Sequence, residues 1–290
     1  VGMEIGVKNG QLQVVSPLEN TPAQRAGLRA GDSILEINGT STQGMAADQA
    51  VNLIRGPKGT EVVLLIGREG WKETKEFRLI RDIIQVPSLK LEFKDLQNGE
   101  KVAYLVLYQF SEKSHYAFNQ AAIDILNSEA KKIIFDLRNN PGGYLEVAQS
   151  ISGWFINRGQ IVVIEDFGNG QGQEIYKSEG PSSFSDYPIV VLINGGSASA
   201  AEILAGALRD NKGAKLVGEK SFGKGSVQEL SDLRDGSSIK ITVAKWLTPN
   251  GNLITDVGLE PDFKVVRTDQ DYEDGKDPQL DKAIEIIKTL

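Results

Sequence analysis

From residue 102 onward, short β-branched runs alternate with helical apolar patterns, and this alternation constrains the fold more than any other feature. Runs at 102–108, 133–137, 161–165 and 189–193 read as strands. Segments 118–126, 145–155 and 201–208 carry helical spacing. A strand end follows at 216–217, a β segment at 238–246 and a closing helix at 279–287. Strand–helix alternation of this kind predicts an α/β layered domain. Residues 1–80 read differently. Short strands at 11–16, 33–37 and 61–67 are separated by Asn9-Gly10, Gly31-Asp32, Asn38-Gly39 and Gly56-Pro57. A helix is expected over 45–55, with Ala46, Ala50, Leu53 and Ile54 as its apolar face. A shorter one over 22–26 starts after the N-cap Thr21, has Pro22 at its first position and stops at Gly27. Residues 81–95, which include Pro87, read as a linker or hinge. The expected organisation is a small β-rich module over 1–80 and an α/β core over 81–290, for which 290 residues give room.

Composition removes several functions. The chain has no Cys, which excludes disulfides, thiolate metal sites and cysteine nucleophiles. It has one His, His115, so a His-rich zinc site is excluded and a Ser-His-Asp triad would depend on that residue. A net charge of −7 without a Lys/Arg run argues against a nucleic-acid surface. No 18-residue apolar run is present. No signal peptide is visible, and the opening Val-Gly-Met-Glu-Ile-Gly reads as mid-element, so a trimmed N-terminus is expected. Residues 268–277 read as an exposed acidic loop. It is no EF-hand, because Asp274 stands where Gly is needed and Leu280 where Glu is needed.

The stretch 189–202 reads strand, tight Gly turn, helix, and passes through Ser197-Ala-Ser199-Ala-Ala201-Glu202. This places a Ser at a helix N-terminus, where unpaired N–H groups and the positive dipole end stabilise developing negative charge. It is not the G-x-S-x-G elbow, since position 199 is Ser. Ser199-Ala-Ala-Glu202 is also a capping box, and the segment alone reads first as a helix cap.

Residues 218–224 nearly match a phosphate-binding loop, with Gly218, Gly223 and Lys224 in place. Gly225 follows where a hydroxyl should hold magnesium, and 226–230 reads as extended. A lysine between two glycines suits another use. Small neighbours let the backbone close around it, and loss of water disfavours the charged amine. A Ser-Lys dyad needs no His. Taken alone, Lys224 reads as a solvated turn residue.

Together these motifs resemble the carboxyl-terminal processing proteases, serine endopeptidases with an embedded PDZ domain and a core like the ClpP/crotonase fold. The nucleophile motif of that family is similar to Ser197-Ala-Ser199-Ala-Ala201-Glu202, with a departure at Ala201 and the reactive position kept at Ser199. The family's lysine lies in F-G-K-G, here Phe222-Gly-Lys224-Gly, 25 residues after Ser199. Gln228 corresponds to the family's lysine-orienting Gln. Asp136-Leu-Arg-Asn-Asn-Pro-Gly142-Gly143 resembles the family's D-L-R-x-N-x-G-G. By resemblance, that turn and the Ala200 amide form an oxyanion hole, with Gly142 and Gly143 both candidate donors. Ser197 is the second candidate nucleophile. His115 reads as part of a polar helix start, and Asp210 as a surface residue at a helix end. The first module resembles a PDZ domain entered late. It would bind a peptide C-terminus at Gly2, Met3, Glu4 and Ile5, with 46–55 as the opposite wall.

The resemblance implies a Ser-Lys endopeptidase that cleaves proteins near their C-termini, with the PDZ module binding substrate tails and gating the site. It calls for no metal or cofactor. It implies protein or peptide partners with free C-termini, no nucleic acid, and leaves room for a homo-oligomer. It implies a compartment outside the cytoplasm: periplasm, cell surface or thylakoid lumen. The alternatives are a non-catalytic PDZ scaffold or degenerate protease, and an acyl-CoA enzyme of the crotonase type, which would need neither the Ser and Lys in register nor a PDZ module.

Overall fold

The apolar runs within Lys101–Leu107, Lys132–Asp136, Ile189–Ile193 and Lys215–Gly218 lie in one sheet buried on both faces, and their side chains alternate between two cores. The structure is a computed structural model. It describes residues 1–8, 10–85, 87–96, 99–168, 170–224, 226–232 and 237–290, with backbone alone for 226–232 and 240.

The first module contains β1 (Met3–Lys8), β2 (Gln11–Pro17), α1 (Pro22–Arg25), β3 (Ser33–Ile37), β4 (Thr40–Ser41), α2 (Ala47–Ile54), β5 (Glu61–Gly67) and β6 (Lys75–Ile80). Its antiparallel sheet runs β1-β2-β3-β5-β6, with β4 on β3. Thr21 caps α1 by accepting from the Gln24 amide, as its sequence predicts. The core of the module gathers Leu12, Val14, Ile34, Ile54, Val62, Leu64 and Ile66. On α2, Ala50 and Ile54 are buried, whereas Ala46 and Leu53 face solvent. The helix presents a narrower apolar stripe than expected, and Ala47, Val51 and Ile54 line a groove beside β1.

The remainder begins with β7 (Leu89–Asp95), β8 (Lys101–Leu107), α3 (Glu112–Leu126), β9 (Lys132–Asp136), α4 (Leu145–Phe155), β10 (Ile161–Asp166) and β11 (Gln173–Lys177). It continues with β12 (Ile189–Ile193), α5 (Ala200–Lys212), β13 (Lys215–Gly218), β14 (Ser226–Asp232) and β15 (Ser238–Leu247). It closes with β16 (Phe263–Lys264), α6 (Asp269–Glu273) and α7 (Pro278–Thr289). The main sheet has the order β16-β13-β12-β9-β8-β7, parallel except for β7. From β8 to β13 the order never reverses. Crossovers of one hand therefore keep their helices on one face. That face holds Ala103, Ile133, Phe135, Val191 and Ile193 against Phe118, Phe155 and Leu204 of α3, α4 and α5. The alternate residues Val102, Ile134, Val190 and Leu192 meet Ala283 and Ile287 of α7 on the other face. A second, antiparallel sheet, β11-β10-β15-β14, packs through Val162, Val163 and Trp246 on the α4 and α5 side.

Three expectations change. Residues 89–95 of the expected hinge form an edge strand paired along its length with β8, because Leu89, Leu91 and Phe93 alternate with charged residues. This leaves 81–88 as the connection. Helix α3 starts six residues earlier than its apolar pattern, because Ser111 caps it by accepting from the Ser114 amide. The acidic stretch 268–277 contains α6 and holds the module: Asp269 binds Arg29, and Tyr272 lies 4.1 Å from the guanidinium of both Arg29 and Arg267. Among the described residues, no helix is long and apolar enough to cross a membrane.

Candidate active site

Parallel strands end at one edge of the sheet, and their following turns meet there. β12 leads through Asn194-Gly195-Gly196 to Ser199 at the start of α5. Ser197 is fully buried; its hydroxyl donates to the Leu137 carbonyl at 2.8 Å and accepts from the Asn194 amide at 3.0 Å. It is a structural hydroxyl, which removes it as the second nucleophile. Ser199 sits at φ +56°, ψ −120°, a conformation that strains any residue with a Cβ. Its hydroxyl makes no capping bond to α5. The capping-box pattern is met on one side only: the Glu202 carboxylate accepts from the Ser199 amide at 2.9 Å. Geometry thus turns the Ser199 hydroxyl away from the role its local sequence suggests first.

The turn after β9 packs against this one. Asn140 is fully buried. Its amide group donates to the Leu107 carbonyl at 2.7 Å, its side-chain oxygen accepts from the Gly142 amide at 2.9 Å, and its backbone carbonyl accepts from the Ala198 amide at 2.9 Å. Both glycines are needed. A Cβ on Gly142 would lie 2.7 Å from Ser199 Cβ, and one on Gly143 would lie 2.0 Å from the Phe110 carbonyl oxygen. The Gly142 N–H is committed to Asn140. The N–H groups of Gly143 and Ala200 have no partner among the described residues. Beneath the turn, burial opposes the charge of Arg138, but Asp136 and Asp277 more than offset it, at 2.6 Å and 2.8 Å.

Glu202 is fully buried and joins the loop that follows β13 to the Ser199 turn. Its carboxylate accepts from the Ser221 hydroxyl at 2.5 Å and from the amides of Gly223 at 2.7 Å and Lys224 at 3.0 Å. Burial pushes the carboxyl up from its usual range, and these hydrogen bonds with that of Ser199 oppose the shift. The sequence pattern marked Glu202 only as a cap; its other partners lie 19–22 residues further on.

Lys224 is not desolvated here, contrary to the expectation from its flanking glycines. Its side chain is 46% exposed and its Nζ lies 3.3 Å from Glu4 Oε1 on β1. Lys8, on the same strand, donates to the Phe222 carbonyl at 2.8 Å and lies over the Phe222 ring. Among the described hydrogen bonds, none joins Lys224 to Ser199. Gln228 falls on β14, and its side chain lies outside the described residues.

Gly2, Met3, Glu4 and Ile5 line a groove of about 940 Å³ between β1 and α2, with Phe222 and Lys224 at its end. Gly2 needs its positive φ and its missing Cβ, because Thr21 packs against it and donates to its carbonyl. His115 lies in the first turn of α3 beside Asn119 and touches none of these groups. Asp210 is no surface residue: its side chain is 4% exposed and holds the Asn250 amide at 3.0 Å, eleven residues after Ser199.

Residues 101–265 match the model of peptidase family S41, and residues 13–68 that of the PDZ domain. The chain is 39% identical over 264 residues to carboxy-terminal processing protease CtpA of Bacillus subtilis, covering 91% of this chain and 55% of that protein. It is 41% identical over 265 residues to a carboxyl-terminal-processing protease of Synechocystis, covering 90% and 61%. The chain therefore spans somewhat over half the length of these relatives. Among solved structures, the photosystem II D1 C-terminal processing protease superposes with a TM-score of 0.87 at 30% identity, covering 99% of this chain and 76% of that one.

Proposed function

The chain belongs to peptidase family S41, and we propose that it is a serine endopeptidase in which Lys224 activates Ser199 to cleave proteins near their C-termini. The observation that carries the reading is the Ser199 turn. A strained Ser at the head of α5, with its hydroxyl free of the helix, stands beside the Gly143 and Ala200 amides, which have no partner among the described residues. In the reaction, neutral Lys224 takes the Ser199 proton as the hydroxyl oxygen attacks the scissile carbonyl. The Gly143 and Ala200 amides hold the oxyanion, since Gly142 has given its N–H to Asn140. Lys224 then protonates the leaving amine, and water, with the lysine again as base, hydrolyses the acyl-enzyme. Gln228 orients the lysine. No metal or cofactor takes part. The family likeness supports a compartment outside the cytoplasm.

The conformation described is the resting one in this reading. Glu4, on the strand that receives a substrate tail, holds the ammonium on which the nucleophile depends. A C-terminal peptide adding along β1 changes the surroundings of Glu4 and releases Lys224. The test measures cleavage of an unfolded protein with and without a C-terminal peptide that fills the groove. Ser199→Ala and Lys224→Ala are expected to lose ~10⁴-fold or more in kcat while remaining folded. The peptide is expected to raise the wild-type rate. Full activity of the lysine variant at neutral pH refutes the dyad, and an unchanged rate with bound peptide refutes the gate.

A further inference from the structure

Glu202 carries more than a helix cap requires. A cap at this position needs one hydrogen bond, to the Ser199 amide, and works in solvent. Here the carboxylate is withdrawn from water, which is costly for a charge, and is met by four neutral donors. The pairing of those donors is specific. One oxygen, Oε2, receives both the Ser199 amide and the Lys224 amide, at 2.9 Å and 3.0 Å. The other, Oε1, receives the Gly223 amide and the Ser221 hydroxyl. Two donors on one oxygen at these lengths stand within about 6 Å of each other. The main chain of the lysine is therefore already beside the main chain of the nucleophile, although its ammonium points to Glu4.

We infer that Glu202 is a positioning residue that ties the backbones of Ser199 and Lys224 to a single carboxylate oxygen, so that activation needs rotation of the lysine side chain alone. The inference rests on the Ser-Lys reading above. The flexible four-carbon stem of lysine can swing between Glu4 and Ser199 about a fixed Cα. Without the tie, the loop 219–224 would move with the ammonium whenever the PDZ module holds or releases it. The base would then return to the nucleophile in many orientations, and misplacement by about 1 Å is enough to cost roughly 10²-fold in rate.

Two measurements test this. In the wild-type chain, the amide resonances of Ser199, Gly223 and Lys224 are followed by NMR as pH is lowered. They are expected to titrate together with one midpoint above the ordinary carboxylate range. Independent titration of these amides, or none, overturns the tie, and this readout does not depend on activity or on a variant that folds. The second compares Glu202→Gln with the wild type. Gln keeps one acceptor oxygen but turns the other partner of the Gly223 amide and Ser221 hydroxyl into a donor. The kcat is expected to fall roughly 10²-fold with KM unchanged. The acidic limb of kcat/KM is expected to move to lower pH, since removal of a nearby negative charge disfavours the protonated lysine. A folded Glu202→Gln enzyme with wild-type kcat and an unmoved limb overturns the proposal. Activity in Lys224→Ala with co-titrating amides would instead sink the dyad and leave the tie standing.

Discussion

At the scale of single residues, the site spends stability at Ser199. Its φ of +56° with ψ of −120° is a conformation that costs a Cβ-bearing residue about 1–3 kcal/mol. Glycine adopts it freely, at an unfolded-state cost of about 0.5–1 kcal/mol. Ser199→Gly is therefore expected to be more stable than Ser199→Ala by about 1 kcal/mol, although both lack the hydroxyl; urea unfolding of the two variants checks this. Equal stability would mean that the turn is relaxed. Ser197, two residues earlier, shows the opposite economy. Both of its hydrogen bonds are internal and it is fully buried. The S-x-S pattern named both hydroxyls as candidates, and only the packing of the Leu137 carbonyl over one of them separates the two.

At the scale of elements, two strand-to-helix turns are fastened to each other by Asn140. Its side chain spans from the end of β8 to Gly142, and its carbonyl holds Ala198 just before Ser199. Asn140→Ala leaves the Leu107 carbonyl and the Gly142 amide without partners. The expected cost is about 1–3 kcal/mol in unfolding free energy. In the proposed mechanism, Gly142 freed from Asn140 would compete with Gly143 for the oxyanion, so kcat is expected to fall more than KM rises. Steady-state kinetics on a peptide substrate separate these effects; a variant with normal kcat would remove the turn from the mechanism. The elements themselves were largely legible from periodicity. β12 and α4 occupy the expected spans because both are bounded by strong turn signals. The strand β6 and the edge strand β7 were missed, since their charged alternate residues resemble solvated linker.

At the scale of the whole molecule, the PDZ module is held to the core at several points. Glu4 and Lys8 meet the lysine loop, the Ser16 hydroxyl donates to the Asn139 carbonyl at 2.6 Å, and Arg29 binds Asp269 before α7. The segment that receives Arg29 is anchored in turn by Asp277 on Arg138. Burial raises the Asp277 carboxyl, but hydrogen bonding and charge from Arg138 more than offset this and hold it below its ordinary value of 3.8. A carboxyl lowered on folding contributes stability above its unfolded value and loses it as pH falls through the folded one. Acidification below about 3.8 is therefore expected to destabilise the wild type more steeply than Asp277→Asn, measured as Tm against pH. Parallel curves would show that the pair contributes nothing. The sequence by itself determined the α/β core, the strand-to-helix turns, and the residue types able to act as nucleophile, base and oxyanion donors. These depend on apolar period and on glycines within a few positions of one another. Only the tertiary structure decided that Glu202 gathers both amides, that Gly142 is spent on Asn140, and that Lys224 rests on Glu4, 220 residues away. Those choices are set by which turns the sheet brings to one edge, and hydrogen-bond partners across such distances leave no periodic trace along the chain.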